Sequence, residues 1–339
     1  MTAAGHCHPG GAAARGRPSR RDVLALLALL AAAPRAAAKD RPVVAMLGLA
    51  SEEADSAFLE RFRSGLAANG VVEGETIVLE HRHASGDMTL AGRQIAELVA
   101  LGADVFVVPG PAAARLVKSM TDVPVVSGGL PLADPFLFES LGRPGGTVTG
   151  LSSFGEDLAA KRIEVIREAL PDLRLLGVMH NVTDPVYSDW GEKSEEAARA
   201  AGLATMRLPL ESGSPAEVDG LLGGFKASGG DVVLVIRDFL THTNRLHICE
   251  AAARLGLPLV SEHPIFVEAG ALMAYSEDVD AAMTHIASFV VRILDGTPAG
   301  EIPIELPTRF RLYLNLATAD QLGIVFPPSL IARADSVLE

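Results

Sequence analysis

Hydrophobic residues after Pro42 form short continuous runs, separated by stretches in which apolar residues recur every three or four positions. Runs that are apolar on both faces are typical of parallel strands covered by helices on both sides. They predict strands at Val43–Leu47, Ile77–His83, Val105–Val108, Val123–Val126, Leu175–Met179, Val232–Ile236 and Leu257–Val260.

The stretches between these runs predict amphipathic helices. Phe58, Phe62 and Leu66 fall on one helical face, and Gly70 follows as a stop signal. Further helices are expected around Ile95–Val99 and Ile163–Leu170, and over Ser188–Ala201, Thr243–Leu255 and Val279–Leu294. Strands that alternate with helices predict βαβ units and parallel sheets.

The strand pattern begins twice, once at Val43 and again at Leu175. Between the two series lies Arg143–Gly150, a stretch rich in glycine that marks a natural boundary. The sequence therefore predicts an α/β protein with two doubly wound lobes, each built on a parallel sheet. Ligands of such sheets bind outside the carboxyl ends of the strands, so two facing lobes would form a closable cleft.

The first forty residues have a different character. Basic residues precede an apolar run over 23–33, which Pro34 ends, and small residues follow at 36–38. The run is too short to span a membrane and predicts a cleaved export signal over residues 1–38. Ser19-Arg20-Arg21 resembles the twin-arginine signal, which is a receptor-read address. A start-site artefact or a membrane anchor is the alternative.

Charge and cysteine content exclude several classes of protein. The chain carries a net charge of -13, and the leader holds five arginines and one aspartate, so the remainder carries -17. An acidic protein lacks the clustered cations that nucleic acid requires. Only Cys249 remains after the leader, so an internal disulfide is excluded and a small buried side chain is expected there. We expect a soluble mature protein.

Catalytic signatures are missing from the sequence. No G-x-G-x-x-G follows the first strand, and neither a Walker loop nor a nucleophile elbow occurs. His81 and His83 could share a strand face, but the further ligands of a metal site are lacking. His242, His247 and His263 also lack the spacing of a metal or nucleophile site. We therefore predict a protein that is not an enzyme and uses no cofactor or metal.

Small residues follow the strands of the first series, with Ser51 after the first strand, Gly110 after the third and Gly128 after the fourth. Such residues let backbone N–H groups and helix N-termini approach an anion such as a carboxylate. Ordinary tight turns are the alternative explanation for each of them.

The strands of the second series end instead at Asn181, Asp238 and Glu262. Carboxylates and amides that face anion-friendly turns would suit a zwitterion such as an amino acid. Asp238 is the candidate partner of the ligand ammonium, and the alternative is that it satisfies loop N–H groups or pairs with Arg237. Trp190, soon after Asn181, lies near the cleft or packs on its own lobe.

Several longer segments carry a family resemblance that covers essentially everything after the leader. The chain resembles the ABC-transporter substrate-binding proteins of the tryptophan/tyrosine type, with the type I periplasmic-binding-protein fold. The matching segments are Phe62–Leu66, Gly70–Gly74, Ala133–Pro135, Arg143–Gly150, Lys161–Arg162, Phe266–Tyr275, Pro307–Thr308, Asn315–Ala319, Ile324–Leu330 and Arg333–Asp335.

This resemblance implies lobes joined by a three-crossing hinge. The expected first lobe spans 42–149 plus 276–308, and the second spans 150–275 plus 309–339, with crossings near Gly150, Tyr275 and Thr308. Asp134 and Tyr275 lie in matching segments and complete the candidate ligand-binding set of Ser51, Gly110, Gly128, Asp134, Asn181, Asp238, Glu262 and Tyr275.

The sequence also departs from the family pattern near the expected cleft. Gly110-Pro111-Ala112-Ala113 stands where Gly-Thr-Pro-Ala is usual, so a hydroxyl is lost from a ligand turn. His83 replaces a frequent tryptophan, and Met179-His180-Asn181-Val182 replaces Leu-Trp-Asn-Pro. The fold carries over to this chain, whereas the identity of the ligand does not.

The function implied is that of a periplasmic solute receptor, exported and non-catalytic, which delivers a small molecule to an ABC permease in the inner membrane. An aromatic amino acid or a related carboxylate is the leading ligand. Contacts of the bound ligand with the second lobe would shift an equilibrium between open and closed forms. A periplasmic sensor for a membrane receptor and a periplasmic enzyme are the alternatives.

Overall fold

A computed structural model describes residues 41–152 and 158–339 of the chain. Its first sheet holds five parallel strands in the order β2-β1-β3-β4-β5. Their bounds are Val43–Gly48 (β1), Val78–His83 (β2), Val105–Val108 (β3), Val125–Leu130 (β4) and Val148–Ser152 (β5).

The second sheet holds seven strands in the order β12-β11-β10-β9-β8-β6-β7. Neighbours run parallel except β10 and β11, which are antiparallel. The bounds are Leu175–Asn181 (β6), Ala204–Leu210 (β7), Val232–Val235 (β8), Leu259–Ser261 (β9), Met273–Glu277 (β10), Phe310–Asn315 (β11) and Ser336–Leu338 (β12).

Helices connect the strands. The first lobe contains Glu52–Ala68 (α1), Met88–Ala100 (α2) and Pro111–Met120 (α3). The second contains Ala159–Ala169 (α4), Pro185–Ala200 (α5), Pro215–Ala227 (α6), Phe239–Thr243 (α7), Arg245–Arg254 (α8) and Ile265–Glu268 (α9). Val279–Leu294 (α10) follows β10, and Leu316–Leu322 (α11) and Pro328–Arg333 (α12) come near the end.

Each sheet is buried on both faces, because helices cover both sides of central strands that are largely apolar. Val44 and Met46 of β1 pack into one core with α1 and α10, whereas Ala45 and Leu47 pack into another with α2 and α3. The second sheet divides its strand residues between two cores in the same way. The prediction of two α/β lobes with parallel sheets is confirmed.

Helix α10 returns the chain to the first lobe, where it packs against α1. A Cβ at Gly65 of α1 would lie 2.7 Å from the Met283 carbonyl oxygen of α10, closer than real Cβ contacts come. Glycine is therefore needed at position 65 so that the two helices can approach each other.

The boundaries expected at Gly150 and Tyr275 fall inside strands. β5 continues through Gly150 to Ser152 in the first sheet, and β10 continues through Tyr275 to Glu277 in the second. Hydrogen-bonded pairing with β4 and β11 sustains both strands beyond the expected points. Near Thr308 the chain leaves a bridge to the first lobe at Glu305 and enters β11 at Phe310.

The predicted export signal lies outside the described residues. Within 41–152 and 158–339, every helix is too short or too polar to cross a bilayer. Cys249 is a free thiol buried in the core of the second lobe, and burial raises its pKa to about 12.

Candidate ligand-binding cleft

A cavity lies between the two lobes, at the carboxyl ends of the parallel strands. The first lobe contributes the β1–α1 turn and α1, the β3–α3 turn, the end of β4 and one face of α10. The second lobe contributes the first turns of α5 and α7, the β9–α9 turn and the end of β10. Polar lining residues are Asp55, Arg61, Tyr187, Trp190, Arg237, Asp238, His242, His263 and Glu277.

The wall from the first lobe presents the N-terminus of α3. Gly110 caps this helix without a side-chain hydrogen bond, and Pro111 at its first position has no N–H group. Among the described residues, the N–H groups of Ala112 and Ala113 have no acceptor. Unpaired N–H groups and the helix dipole give this wall a partial positive charge that suits a carboxylate.

Asp238 is the most unusual residue of the opposite wall. It caps α7, and its Oδ1 accepts a hydrogen bond of 2.7 Å from the Thr241 backbone N–H. Its Oδ2 is buried and has no hydrogen-bond partner among the described residues. Burial disfavours the carboxylate and raises the pKa of Asp238 from 3.8 to about 6. A cation placed against Oδ2 would relieve this cost.

Asn181 lies beside Asp238, at the end of β6. Its proximity lowers the pKa of Asp238, but this effect is smaller than that of burial. The Asn181 Nδ2 donor, like Asp238 Oδ2, is buried and has no hydrogen-bond partner among the described residues. Its Oδ1 accepts from the Thr183 N–H and hydroxyl at 2.8 and 2.7 Å.

Aromatic rings line the space between these two poles. Tyr187 and Trp190 meet edge to face with ring centroids 5.3 Å apart, and Phe58 and Phe239 also line the cavity. Trp190 belongs to the hydrophobic core of the second lobe as well, so it both packs on its own lobe and borders the cleft. Rings in this arrangement favour a flat apolar group.

Arg237 and Glu277 form an ion pair on the cavity wall, with Nη1 and Oε1 2.6 Å apart. Burial opposes ionisation of Glu277, but the charge of Arg237, hydrogen bonds to the carboxylate and the charge of Arg162 together lower the pKa of the carboxyl. The charge of Arg237 is therefore balanced by Glu277 within the protein.

Gly110, Gly128 and Asp238 of the predicted site line the cavity, and the other five residues lie outside its wall. Ser51 caps α1, where its Oγ accepts from the Ala54 N–H. Asp134 is engaged structurally, since Oδ2 pairs with Arg115 at 2.6 Å and Oδ1 accepts two backbone N–H groups. Its position in the matching segment is therefore explained by folding of the turn.

Glu262 and Tyr275 belong to a polar cluster next to the hinge. The fully buried Arg162 bonds to the Glu262 carboxylate and to the Tyr275 carbonyl oxygen. The other oxygen of Glu262 accepts from the Arg237 N–H at 3.2 Å, and the Tyr275 ring stacks on Phe310. Both side chains are committed to the protein rather than to the cavity.

Sequence reasoning missed Tyr187, Phe58, His242 and His263 as lining residues, because it searched only the strand ends for polar groups. Phe58, Tyr187 and His242 project from helices. Tyr187 and His242 could have been found, because each is an aromatic residue near the start of the helix that follows a strand.

The lobes touch across the cleft in this structure. The Ser51 N–H donates to Thr243 Oγ1 at 3.3 Å, and Arg245 lies 3.5 Å from Glu53. Arg115 of the first lobe also lies 3.8 Å from Asp184 of the second. These contacts describe a closed arrangement of the cleft.

The described part of the chain contains no group of three or more His, Cys, Asp or Glu side chains arranged to hold a metal ion. His81 and His83 have ring centroids 5.4 Å apart, and His83 Nδ1 lies 3.2 Å from Asp55 Oδ2.

Comparison with known families gives a match to the model for ABC transporter substrate binding protein over residues 43–338. This chain belongs to that family. The sequence resemblance is thereby confirmed, and the chain is a substrate-binding component of an ABC transporter.

Individual proteins are similar to this chain over most of its length. The tyrosine-binding protein of Clostridioides difficile strain R20291 is 21% identical over 274 residues, which are 78% of this chain and 75% of that protein. A conserved domain protein from Vibrio cholerae matches with a TM-score of 0.78 and 26% identity, covering 87% of this chain and 99% of its own. The ABC domain in complex with L-Trp from Streptococcus pneumonia matches with a TM-score of 0.79 and 22% identity, covering 88% of this chain and 100% of its own.

Proposed function

We propose that the chain is an exported receptor that binds an amino acid, with an aromatic side chain preferred, and delivers it to the permease of an ABC importer. Binding takes place in the cavity between the lobes. The receptor works in the periplasm after its leader has been removed near Ala38, and it performs no chemistry on its ligand.

The observation that carries this proposal is the free oxygen of Asp238. A buried carboxylate oxygen without a partner is costly, and a ligand ammonium supplies both the charge and the N–H donors that it lacks. The Oδ1 atom already caps α7, so Oδ2 remains for the ligand.

The opposite pole fits the other end of an amino acid. The α3 N-terminus offers the N–H groups of Ala112 and Ala113 to a carboxylate, without competition from a capping side chain. Charges of opposite sign on the two lobes mean that a zwitterion contacts both lobes only when they are closed. Ligand binding therefore favours the closed form through its differential contacts.

Aromatic side chains are favoured by the lining between the poles. Tyr187, Trp190 and Phe239 come from the second lobe and Phe58 from the first. An aromatic ring gains both burial and edge-to-face contacts in such surroundings, which a small aliphatic side chain does not.

Calorimetric titration of the purified mature protein with the common amino acids tests the proposal. We expect binding of at least one aromatic amino acid, and a roughly hundredfold loss of affinity in Asp238→Asn, which keeps the capping oxygen but removes the charge. Asp134→Asn is the matched control, since Asp134 is also a buried carboxylate that accepts backbone N–H groups but lies away from the cavity. Unchanged affinity in Asp238→Asn contradicts the role of this residue.

Mass spectrometry of small molecules released from the denatured protein identifies the ligand independently. Uptake of that ligand by cells that lack the gene distinguishes an importer from a sensor. An importer component is required for uptake, whereas loss of a sensor leaves uptake intact.

A further inference from the structure

Two histidines stand side by side on the cavity wall of the second lobe. His242 lies on α7, one turn after Asp238, and His263 lies in the β9–α9 turn. Their ring centroids are 4.9 Å apart in an edge-to-face arrangement, and Phe266 packs against the His242 ring at 5.9 Å. Neither histidine has a role in the proposed function as described above.

The first ring has its tautomer fixed by the backbone. His242 Nδ1 lies 3.2 Å from the carbonyl oxygen of Asp238. A carbonyl oxygen can only accept, so Nδ1 carries the proton and donates to it. In the neutral ring Nε2 is then a bare acceptor.

The second ring is fixed in the opposite sense. The Ile265 backbone N–H donates to His263 Nδ1 at 3.3 Å, so this nitrogen carries no proton. In the neutral ring the proton is therefore on Nε2, which becomes a donor. Neither Nε2 atom has a hydrogen-bond partner within residues 41–152 and 158–339.

Both rings are neutral at physiological pH. Burial, together with the charges of Arg237 and Arg245, lowers the pKa of His242 to about 3. Burial also lowers the pKa of His263 well below its ordinary value, and His242, Arg237, Arg61 and Arg245 act in the same direction. The pair thus offers one acceptor and one donor to the same cavity.

We propose that His242 and His263 together recognise a hydroxyl group on the ligand, which accepts a hydrogen bond from His263 Nε2–H and donates one to His242 Nε2. A hydroxyl is the small group that does both through a single atom. This inference rests on the proposed amino-acid binding and adds the chemistry of the ligand's distal group. The hydroxyl is a phenol on an aromatic side chain or an alcohol on an aliphatic one.

Calorimetry with matched ligand pairs separates these two sources. If the hydroxyl is a phenol, we expect L-tyrosine to bind at least about tenfold more tightly than L-phenylalanine. Phenylalanine has no hydroxyl, so it leaves the Nε2 atoms of both histidines without a hydrogen-bond partner. For an aliphatic alcohol, L-serine exceeds L-alanine by a similar factor. O-methyl-L-tyrosine tests the geometry further, since its ether oxygen accepts from His263 but has no proton for His242.

Two variants assign any preference to the pair. In His242→Asn, the amide N–H can replace Nδ1 as the donor to the Asp238 carbonyl oxygen. In His263→Asn, the amide oxygen can replace Nδ1 as the acceptor from the Ile265 N–H. Both variants lack the Nε2 atom. We expect the ratio of hydroxylated to non-hydroxylated affinity to fall toward one in each variant.

The outcomes separate this inference from the proposed function. If tyrosine and phenylalanine bind equally, serine and alanine bind equally, and the variants change neither ratio, the histidines bond only to each other and the inference is wrong, although amino-acid binding stands. If the protein binds none of these amino acids, the proposed function and the inference fail together.

Discussion

Tyr187 and Gly110 face each other across the cleft, and a Cβ built on Gly110 would lie 2.9 Å from the Tyr187 hydroxyl oxygen. The two residues belong to different lobes, so this distance exists only in the closed form. The backbone of Gly110 is extended, with φ at -165°, and any residue can adopt it. Position 110 is therefore limited by space, not by backbone conformation.

Gly110→Ala should weaken ligand binding about 10- to 100-fold, because the added methyl group must displace the Tyr187 hydroxyl before the lobes can close. Calorimetry measures this loss. Combining Gly110→Ala with Tyr187→Phe removes the clashing oxygen and should restore much of the affinity. Gly142→Ala is the control, since a Cβ there meets no atom within 4 Å. An affinity that Gly110→Ala leaves unchanged would show that closure tolerates the methyl group.

The pH dependence of binding follows from Asp238. Its pKa is raised to about 6 in the ligand-free protein, so its carboxyl becomes protonated as the pH falls through that value. We expect affinity for an amino acid to be constant above about pH 7 and to fall about tenfold per pH unit below 6. Calorimetry from pH 5 to 8 measures this.

His242 does not titrate within this pH range, because burial lowers its pKa to about 3, and burial also lowers the pKa of His263 well below its ordinary value. The same shift makes the ionised Asp238 a cost to the ligand-free fold. Its stability contribution is present below about pH 4 and is lost as the pH rises through 6. A flat affinity profile in the wild type contradicts the assignment of Asp238.

Trp190 is the only tryptophan, and in the closed form just 2% of it is exposed. Because it borders the cleft, opening of the lobes should admit water to one edge of the indole. Ligand binding should therefore shift its emission to shorter wavelength in a fluorescence titration. An amino acid that calorimetry shows not to bind is the control. A silent Trp190 during calorimetrically confirmed binding would mean that the ring stays sealed in the core.

Export is tested on residues outside the described part of the chain. Replacing Arg20 and Arg21 by lysine keeps the charge of the leader but removes the twin-arginine pair. Unprocessed precursor should then accumulate in the cytoplasm, as detected by cell fractionation and immunoblotting. Normal processing of the double variant would point to the general secretory route instead.

The sequence predicts continuous apolar strands better than strands that mix polar with apolar residues. Val105–Val108 is a strand as predicted, and Val279–Leu294 is a helix as predicted, because both have a continuous or periodic apolar pattern. β5, β7, β10, β11 and β12 were missed, because each of them mixes polar with apolar residues and none contains a long continuous apolar run. A strand pattern that is interrupted by polar residues is hard to recognise even where the strand is buried, as in β5.

The candidate site could also be predicted only in part. The end of a strand is a local feature, so the positions of Gly110 and Asp238 beside the cavity could be reached from the sequence. The pairing of His242 with His263 could not, because it depends on how α7 and the β9–α9 turn pack together. Resemblance alone also failed to separate Asp134, which holds a turn, from residues that face the ligand space.

The return of α10 to the first lobe imposes an order on folding. Residues 43–152 contain every strand of the first sheet, yet one face of that sheet is covered only in part, by α1, until α10 is available. Ribosomes synthesise strands β6 to β10 of the second lobe before Leu294 appears. The first lobe therefore cannot complete its core during this time, and Phe62 and Val107 lack the packing that α10 later provides. Contacts between residues far apart in sequence also form slowly. Chaperones would find their target in this half of the chain.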